Sequence, residues 1–332
     1  MIPLVESSNA TAEVAKNEFM FSLRRKQPEK HPVIEDMFLS RSMTGRTHTE
    51  SFFGDTQEPA YWNEGVDEIE FGTMKDYTQV FTHYTFQHAI PWKIKDSLDS
   101  RIGKIREKAN ALADKFIRLK ERIADQIVNA VTDSQLLPVI SNSYLGLPLI
   151  SSSHTFVSGG NTMSHFSFSS IDSLQASIYA GFERFQMMMG ENGVTPYYDR
   201  REVNDINNYR FFVAAGRNTQ VWQQTLRSMV MPGGVTQTAN VDNLLAKDMT
   251  LDFNRILFQS TELTGDDFFM IFVGREDAKP LVHLERTGLE TDEFTKEAGS
   301  DWSKRTGLEA VSFMERHASG PGEPRTILKL TA

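Results

Sequence analysis

Ser153 and His154 are the residue types of a nucleophile and its general base. Neighbours in an extended chain point to opposite faces, so the two side chains diverge rather than share a proton. A hydrolase built on His154 and another nearby serine is the enzymatic alternative this leaves. His83 and His88 lie five residues apart in a β-rich stretch, again on opposite faces, which is wrong for shared metal ligation. The run Asp67-Glu68-Ile69-Glu70 could attract a cation but reads more simply as a solvated acidic face. Arg24-Arg25-Lys26 is the best basic patch for nucleic acid, yet it spans three residues and has no interleaved aromatics. No HExxH helix, phosphate-cradling GxxxxGK[ST] loop, EF-hand loop or GxSxG elbow occurs. Gly320-Pro-Gly-Glu-Pro opens no helix and reads as a turn between strands rather than a dinucleotide loop. With no cysteine in the chain, disulfides, thiolate zinc sites and cysteine nucleophiles are excluded. The expectation is a protein without catalytic, cofactor or metal residues, working through its surfaces.

Those surfaces carry an uneven charge. The 332 residues have a formal net charge of −9, which argues against broad nucleic-acid binding. Between Glu50 and Asp76, eight acidic side chains face one basic one, Lys75. Between Lys93 and Val131, ten basic side chains outnumber six acidic ones. No run approaches the roughly 18 apolar residues of a membrane span, and the N-terminus has no secretion-signal pattern, so no membrane partner is expected.

The elements that carry these charges are legible from periodicity. Residues 1–46 read as an extended arm with at most one short helix, around Thr11 to Leu23. Residues 47–90 form a β excursion, with Tyr77 to Ile90 rich in β-branched and aromatic residues. Ile94, Leu98, Ile102, Ile105, Ala109, Leu112, Phe116, Leu119, Ile123 and Ile127 recur at spacings of four and three. They predict one helix over 94–131, roughly 50 Å long. A second amphipathic helix follows the glycine-rich loop at 158–164 and ends at Gly190. Tyr209 to Ala215 predicts a buried strand, and Asn218 caps a helix that Pro232 breaks. Phe268 to Val273, Leu281 to Arg286, Leu308 to His317 and Arg325 to Thr331 predict further strands. Helices and strands mix without βαβ alternation, so the class is α+β.

Three segments, in order, resemble the major capsid proteins of tailed bacteriophages, whose fold is shared with encapsulin shells. The first is the aromatic β excursion followed by a single long helix, Phe52 to Val131. The second is Gly146-Leu-Pro-Leu-Ile-Ser-Ser-Ser-His154 with its glycine-rich loop and the helix ending in Met-Gly-Glu-Asn-Gly193. The third is Tyr209-Arg-Phe-Phe-Val-Ala-Ala followed by the helix with Leu226-Arg-Ser-Met-Val-Met-Pro232 and then Asn240.

The resemblance implies a tailed-phage major capsid fold: an N-terminal arm (1–46), an extended loop or E-loop (47–90) and a peripheral domain (91–204) with its spine helix at 94–131. An axial domain (205–280) and C-terminal strands returning to the peripheral domain (281–332) complete it. It implies a structural subunit of an icosahedral head, built of pentamers and hexamers around double-stranded DNA without sequence specificity. The subunit would be assembled in the host bacterial cytoplasm and located in the virion capsid. An encapsulin-type compartment holding a protein cargo is the alternative within the fold. An arm of about 45 residues is short for a built-in scaffolding segment, so a separate scaffolding protein is implied, along with a portal and a decoration protein. The excursion's one lysine, Lys75, sits near its base, away from the loop tip where cross-linking relatives carry theirs. In relatives the E-loop lies across a neighbouring subunit. The expected inter-subunit contacts are therefore Glu64, Asp67, Glu68 and Glu70 against Arg101, Lys104 and Arg118.

Overall fold

Apolar residues occupy nearly every position of Tyr209–Ala214 and Phe268–Phe272, and both segments are buried throughout. Such strands belong in a sheet covered on both faces. The computed structural model describes residues 8–30, 32–53, 76–93, 102–132, 142–165, 171–190, 193, 195–216, 219–227, 230–231, 241–242, 248–251, 253–295 and 299–332.

Thirteen strands and eight helices are named among the described residues. The central sheet has the order β5 (Thr162–Ser164), β13 (Ile327–Thr331), β10 (Phe268–Phe272), β6 (Tyr209–Ala214), β9 (Leu257–Ser260). Alternation along β6 and β10 divides the side chains between two cores. Phe211, Val213, Phe268, Met270 and Phe272 face one core, under α4 (Ile171–Gln186) and α6 (Thr219–Arg227). Phe212, Phe269 and Ile271 face the other, under the C-terminal half of α3 (Ile102–Asn129). Gly181 lets α4 lie close on β10, since a Cβ there would stand 2.5 Å from the Met270 sulfur.

A second sheet has the order β1 (Phe38–Ser42), β11 (Leu281–Phe294), β12 (Leu308–Pro321), β4 (Tyr84–Lys93). Its apolar face packs on the N-terminal half of α3 through Ile90, Trp92, Val311 and Phe313. The long helix thus bridges both sheets, one half in each core. β2 (Thr47–Phe53) and β3 (Asp76–Thr82) form a separate antiparallel ribbon, with Phe52 opposite Tyr77 and Glu50 opposite Gln79.

Three features differ from the sequence reading. The arm carries a 23-residue helix, α1 (Ser8–Lys30), where a short one was expected, followed by α2 (Pro32–Met37). Its buried stripe is Thr11, Ala12, Ala15, Phe19 and Ser22, so small and polar residues hide the periodicity. Strands β11 and β12 run to Phe294 and Pro321, beyond the expected Arg286 and His317. Register shifts between Glu285 and Glu290 mark irregularities through which β11 continues past Gly288. The C-terminal strands also divide between sheets. β11 and β12 join β4, whereas β13 pairs with β10 in the central sheet, where Ile327, Leu328 and Leu330 find cover on both faces. The first turns expected for the long helix, 94–101, lie outside the described residues. No helix among the described residues is long and apolar enough to cross a membrane.

Candidate assembly surface

With its apolar stripe committed to two cores, α3 turns a different face outward. Lys104, Lys108, Ala111, Lys115, Arg118 and Arg122 recur at spacings of four and three, and all six are exposed. At 1.5 Å per residue they form a stripe roughly 27 Å long with about one cation per turn. Each of these positions directly precedes a member of the apolar stripe, which fixes the basic row on an adjoining face. Two grooves open along the row. One, of about 280 Å³, runs between Lys108, Ala111 and Lys115 on the helix and His88–Pro91 on β4. The other, of about 640 Å³, runs between Arg118, Glu121 and Arg122 on the helix and Phe258, Gln259 and Thr261 at β9. Among the described residues β4 and β9 are outermost in their sheets, so both grooves border an edge strand. Lys108 donates to the Pro91 carbonyl oxygen at 3.3 Å and ties the helix to β4.

The far end of the stripe is held rigidly. Asp125, 4% exposed, accepts bonds from the Ser260 hydroxyl, the Thr261 amide at 2.9 Å, the Thr261 hydroxyl at 3.1 Å and Asn129 Nδ2 at 2.8 Å. The buried carboxylate is thereby satisfied by the end of β9. The helix then stops in a Schellman turn: the Val131 amide donates to Gln126 O and the Ala130 amide to Ile127 O.

Of the residues expected at an inter-subunit contact, Lys104 and Arg118 share this exposed row. Arg101, Glu64, Asp67, Glu68 and Glu70 lie outside the described residues. Lys108, Lys115 and Arg122 were missed, although the spacing that reveals them is present in the sequence. The row can attract an extended acidic segment. Its exposed pairs are worth only about 0–1 kcal/mol each, so selectivity requires many at once.

The segment with the Ser153-His154 pair performs a structural task. His154 is 3% exposed, its Nε2 donates to the Pro148 carbonyl oxygen at 2.9 Å, and its ring stacks on Phe156 at 5.0 Å. Burial holds its pKa below the usual imidazole value. Neither ring nitrogen is hydrogen-bonded to a serine among the described residues. Asn161 continues the same tie, donating to Leu149 O and Pro324 O and accepting from the Ser151 amide. Gly160 is required here, because its φ is +64° and a Cβ would stand 2.0 Å from Ser151 O. His83 contacts Arg286 through its Nε2 at 3.0 Å, and the described residues contain no group of three metal-ligating side chains.

No family model matches the sequence, and no curated protein matches it. Solved structures do. The capsid of an empty GTA particle aligns over 90% of this chain and 89% of its own, with a TM-score of 0.54 and 10% identity. The capsid of the native GTA particle aligns over the same shares, with a TM-score of 0.52 and 10% identity. The capsid of Cyanophage P-SCSP1u aligns over 91% of this chain and 88% of its own, with a TM-score of 0.50 and 13% identity. Arm, ribbon, long helix and both sheets together have the tailed-phage capsid fold.

Proposed function

We propose that this chain is a structural subunit of an icosahedral tailed-phage head, assembling with copies of itself into pentamers and hexamers that enclose double-stranded DNA. One observation carries the reading: the capsid fold extends over about nine-tenths of the chain rather than over one domain of it. On this reading residues 47–90 carry the extended loop, 91–204 the peripheral domain, 205–280 the axial domain and 281–332 the closing strands, except that β4 joins the second sheet and that β5, α4 and β13 pack with the central sheet of β6, β9 and β10. A scaffolding protein, a portal and a decoration protein are its partners in the head, which is assembled in the bacterial cytoplasm. A closed shell of one subunit type needs head-to-tail contacts that close into rings. The basic row on α3 offers one half of such a contact. The other half is the acidic excursion of a neighbour, with Glu64, Asp67, Glu68 and Glu70 set against Arg101, Lys104 and Arg118. Sedimentation of the purified protein over a range of concentration and salt tests the reading. Fast-sedimenting capsomers or shells are expected, and a single monomer or dimer boundary under every condition would contradict it.

A further inference from the structure

The β2–β3 ribbon is rooted through Phe81, which is buried with Met43, Val282, Leu284 and Ala318 and against which Phe52 also packs, and its far end meets Tyr144. Phe52 and Tyr77, cross-strand partners in the ribbon, both pack on Tyr144. The Phe52 ring is stacked on it at 4.6 Å and 14°, and the Tyr77 ring is tilted at 5.4 Å. Gln79 adds a bond from Nε2 to the Asn142 carbonyl oxygen at 2.8 Å, to the same loop. Nearer the base, buried Glu50 is paired with Arg41 of β1 and His48.

Tyr144 is itself fixed from behind. Its hydroxyl donates to Glu323 Oε2 and accepts from Arg325 Nη2 at 3.0 Å. Glu323 and Arg325 form a buried pair, with Arg325 Nε 2.8 Å from Glu323 Oε1. The Arg325 guanidinium also lies 4.2 Å over the Tyr197 ring. Burial and the nearby Glu323 carboxylate hold the Tyr144 phenol well above its ordinary pKa, so it remains a donor. A flat aromatic platform thus stands on a charged post rooted beside β13.

We infer that Tyr144 is the positioning residue that sets the angle at which the ribbon leaves the body, and that shell geometry depends on it where folding does not. The consequence for shells rests on the proposed function; the anchoring rests on the ribbon contacts alone. Leverage makes the angle matter. Twenty-two residues separate Phe53 from Asp76, so that chain can reach at most roughly 36 Å beyond them. A tilt of about 10° at the platform would move a point at that reach by roughly 6 Å, more than a side-chain contact tolerates.

The test uses the full chain as Tyr144→Phe, Tyr144→Ala and Phe52→Ala, with hydrogen exchange on unassembled protein and electron microscopy after assembly. Tyr144→Ala should speed exchange of the amides at 47–53 and 76–82 by about tenfold while leaving β6 and β10 unchanged. It should also yield aberrant or heterogeneous particles. Tyr144→Phe keeps the platform but loses the post and should fall between. Unchanged ribbon exchange in Tyr144→Ala would overturn the anchor. Wild-type shells from a variant whose ribbon is loosened would overturn its role in geometry. If Tyr144→Ala loosens β6 and β10 as well, Phe52→Ala, which acts from the ribbon side, decides by the same two readouts. Failure of the wild-type protein to assemble would sink the shell reading, and the exchange result would still judge the anchor.

Discussion

Two histidines show how a single buried group ties stability to pH. His283 on β11 and His317 on β12 lie with their rings 4.7 Å apart, both about 4% exposed or less. They border a cavity of about 440 Å³ whose charged walls are Glu35 of the arm, Lys120 of α3, Glu285 and Glu315. His283 Nδ1 is bonded to the Ser319 hydroxyl at 2.9 Å. Burial, then His317 and Lys120, pushes the His283 pKa down to about 2. In the unfolded chain it returns to about 6.5, so protonation favours unfolding. The contribution is complete above about pH 6.5 and is lost as pH falls from there toward 2, at up to about 1.4 kcal/mol per pH unit. His154, lowered by burial, acts with the same sign. Urea unfolding at pH 7.5 and pH 5 should differ by about 2 kcal/mol, and His283→Gln should shrink the difference. Equal stability at the two pH values would contradict the burial argument. Ala130 offers a second residue-scale check. Its φ of 55° is the only positive value at a non-glycine residue among the described ones, at the Schellman position where glycine is favoured. Ala130→Gly should stabilise the protein by about 1 kcal/mol in the same urea assay.

At the scale of elements, long apolar periods were readable and mixed ones were not. The stripe from Ile105 to Ile127 identified the long helix because every fourth or third residue is large or buried. The arm helix was read as short, around Thr11 to Leu23, because apart from Phe19 its contact side is Thr11, Ala12, Ala15 and Ser22, small residues whose value lies in close approach rather than hydrophobicity. The basic row was half legible: Lys104 and Arg118 were singled out by charge, but only the helix phase groups them with Lys108, Lys115 and Arg122. The Tyr144 platform could not be read at all, since Phe52, Tyr77, Tyr144 and Glu323 are joined by the fold and not by spacing. The row yields its own prediction. Reversing Asp67, Glu68 and Glu70 to lysine should impair assembly, and adding Arg101→Glu with Lys104→Glu in the same chain should partly restore it. Rising salt should narrow the gap, because screening acts over about 10 Å at 0.1 M. Light scattering during assembly measures both effects, and no recovery in the compensated chain would remove this pairing.

Across the whole molecule, an elongated helix crosses two sheets, the arm helix packs along its N-terminal half through Ala12, Ala15 and Phe19, and the β2–β3 ribbon forms a sheet of its own. The order of elements was enough to place the chain in a fold class, because an excursion, a long helix and a late pair of strands form an uncommon sequence of features. Partition of the C-terminal strands was not, since β13 and β12 are both apolar and only the two-sided cover over the central sheet distinguishes them. A net charge of −9 argues against broad nucleic-acid binding. The proposed function requires that copies of this one chain close into a shell. Electron microscopy of the purified protein, raised in concentration and examined with and without a scaffolding partner, tests that claim most directly. Closed particles or tubes with five- and six-fold rings of density are expected, and a uniform field of isolated monomers or dimers under every condition would rule the shell out.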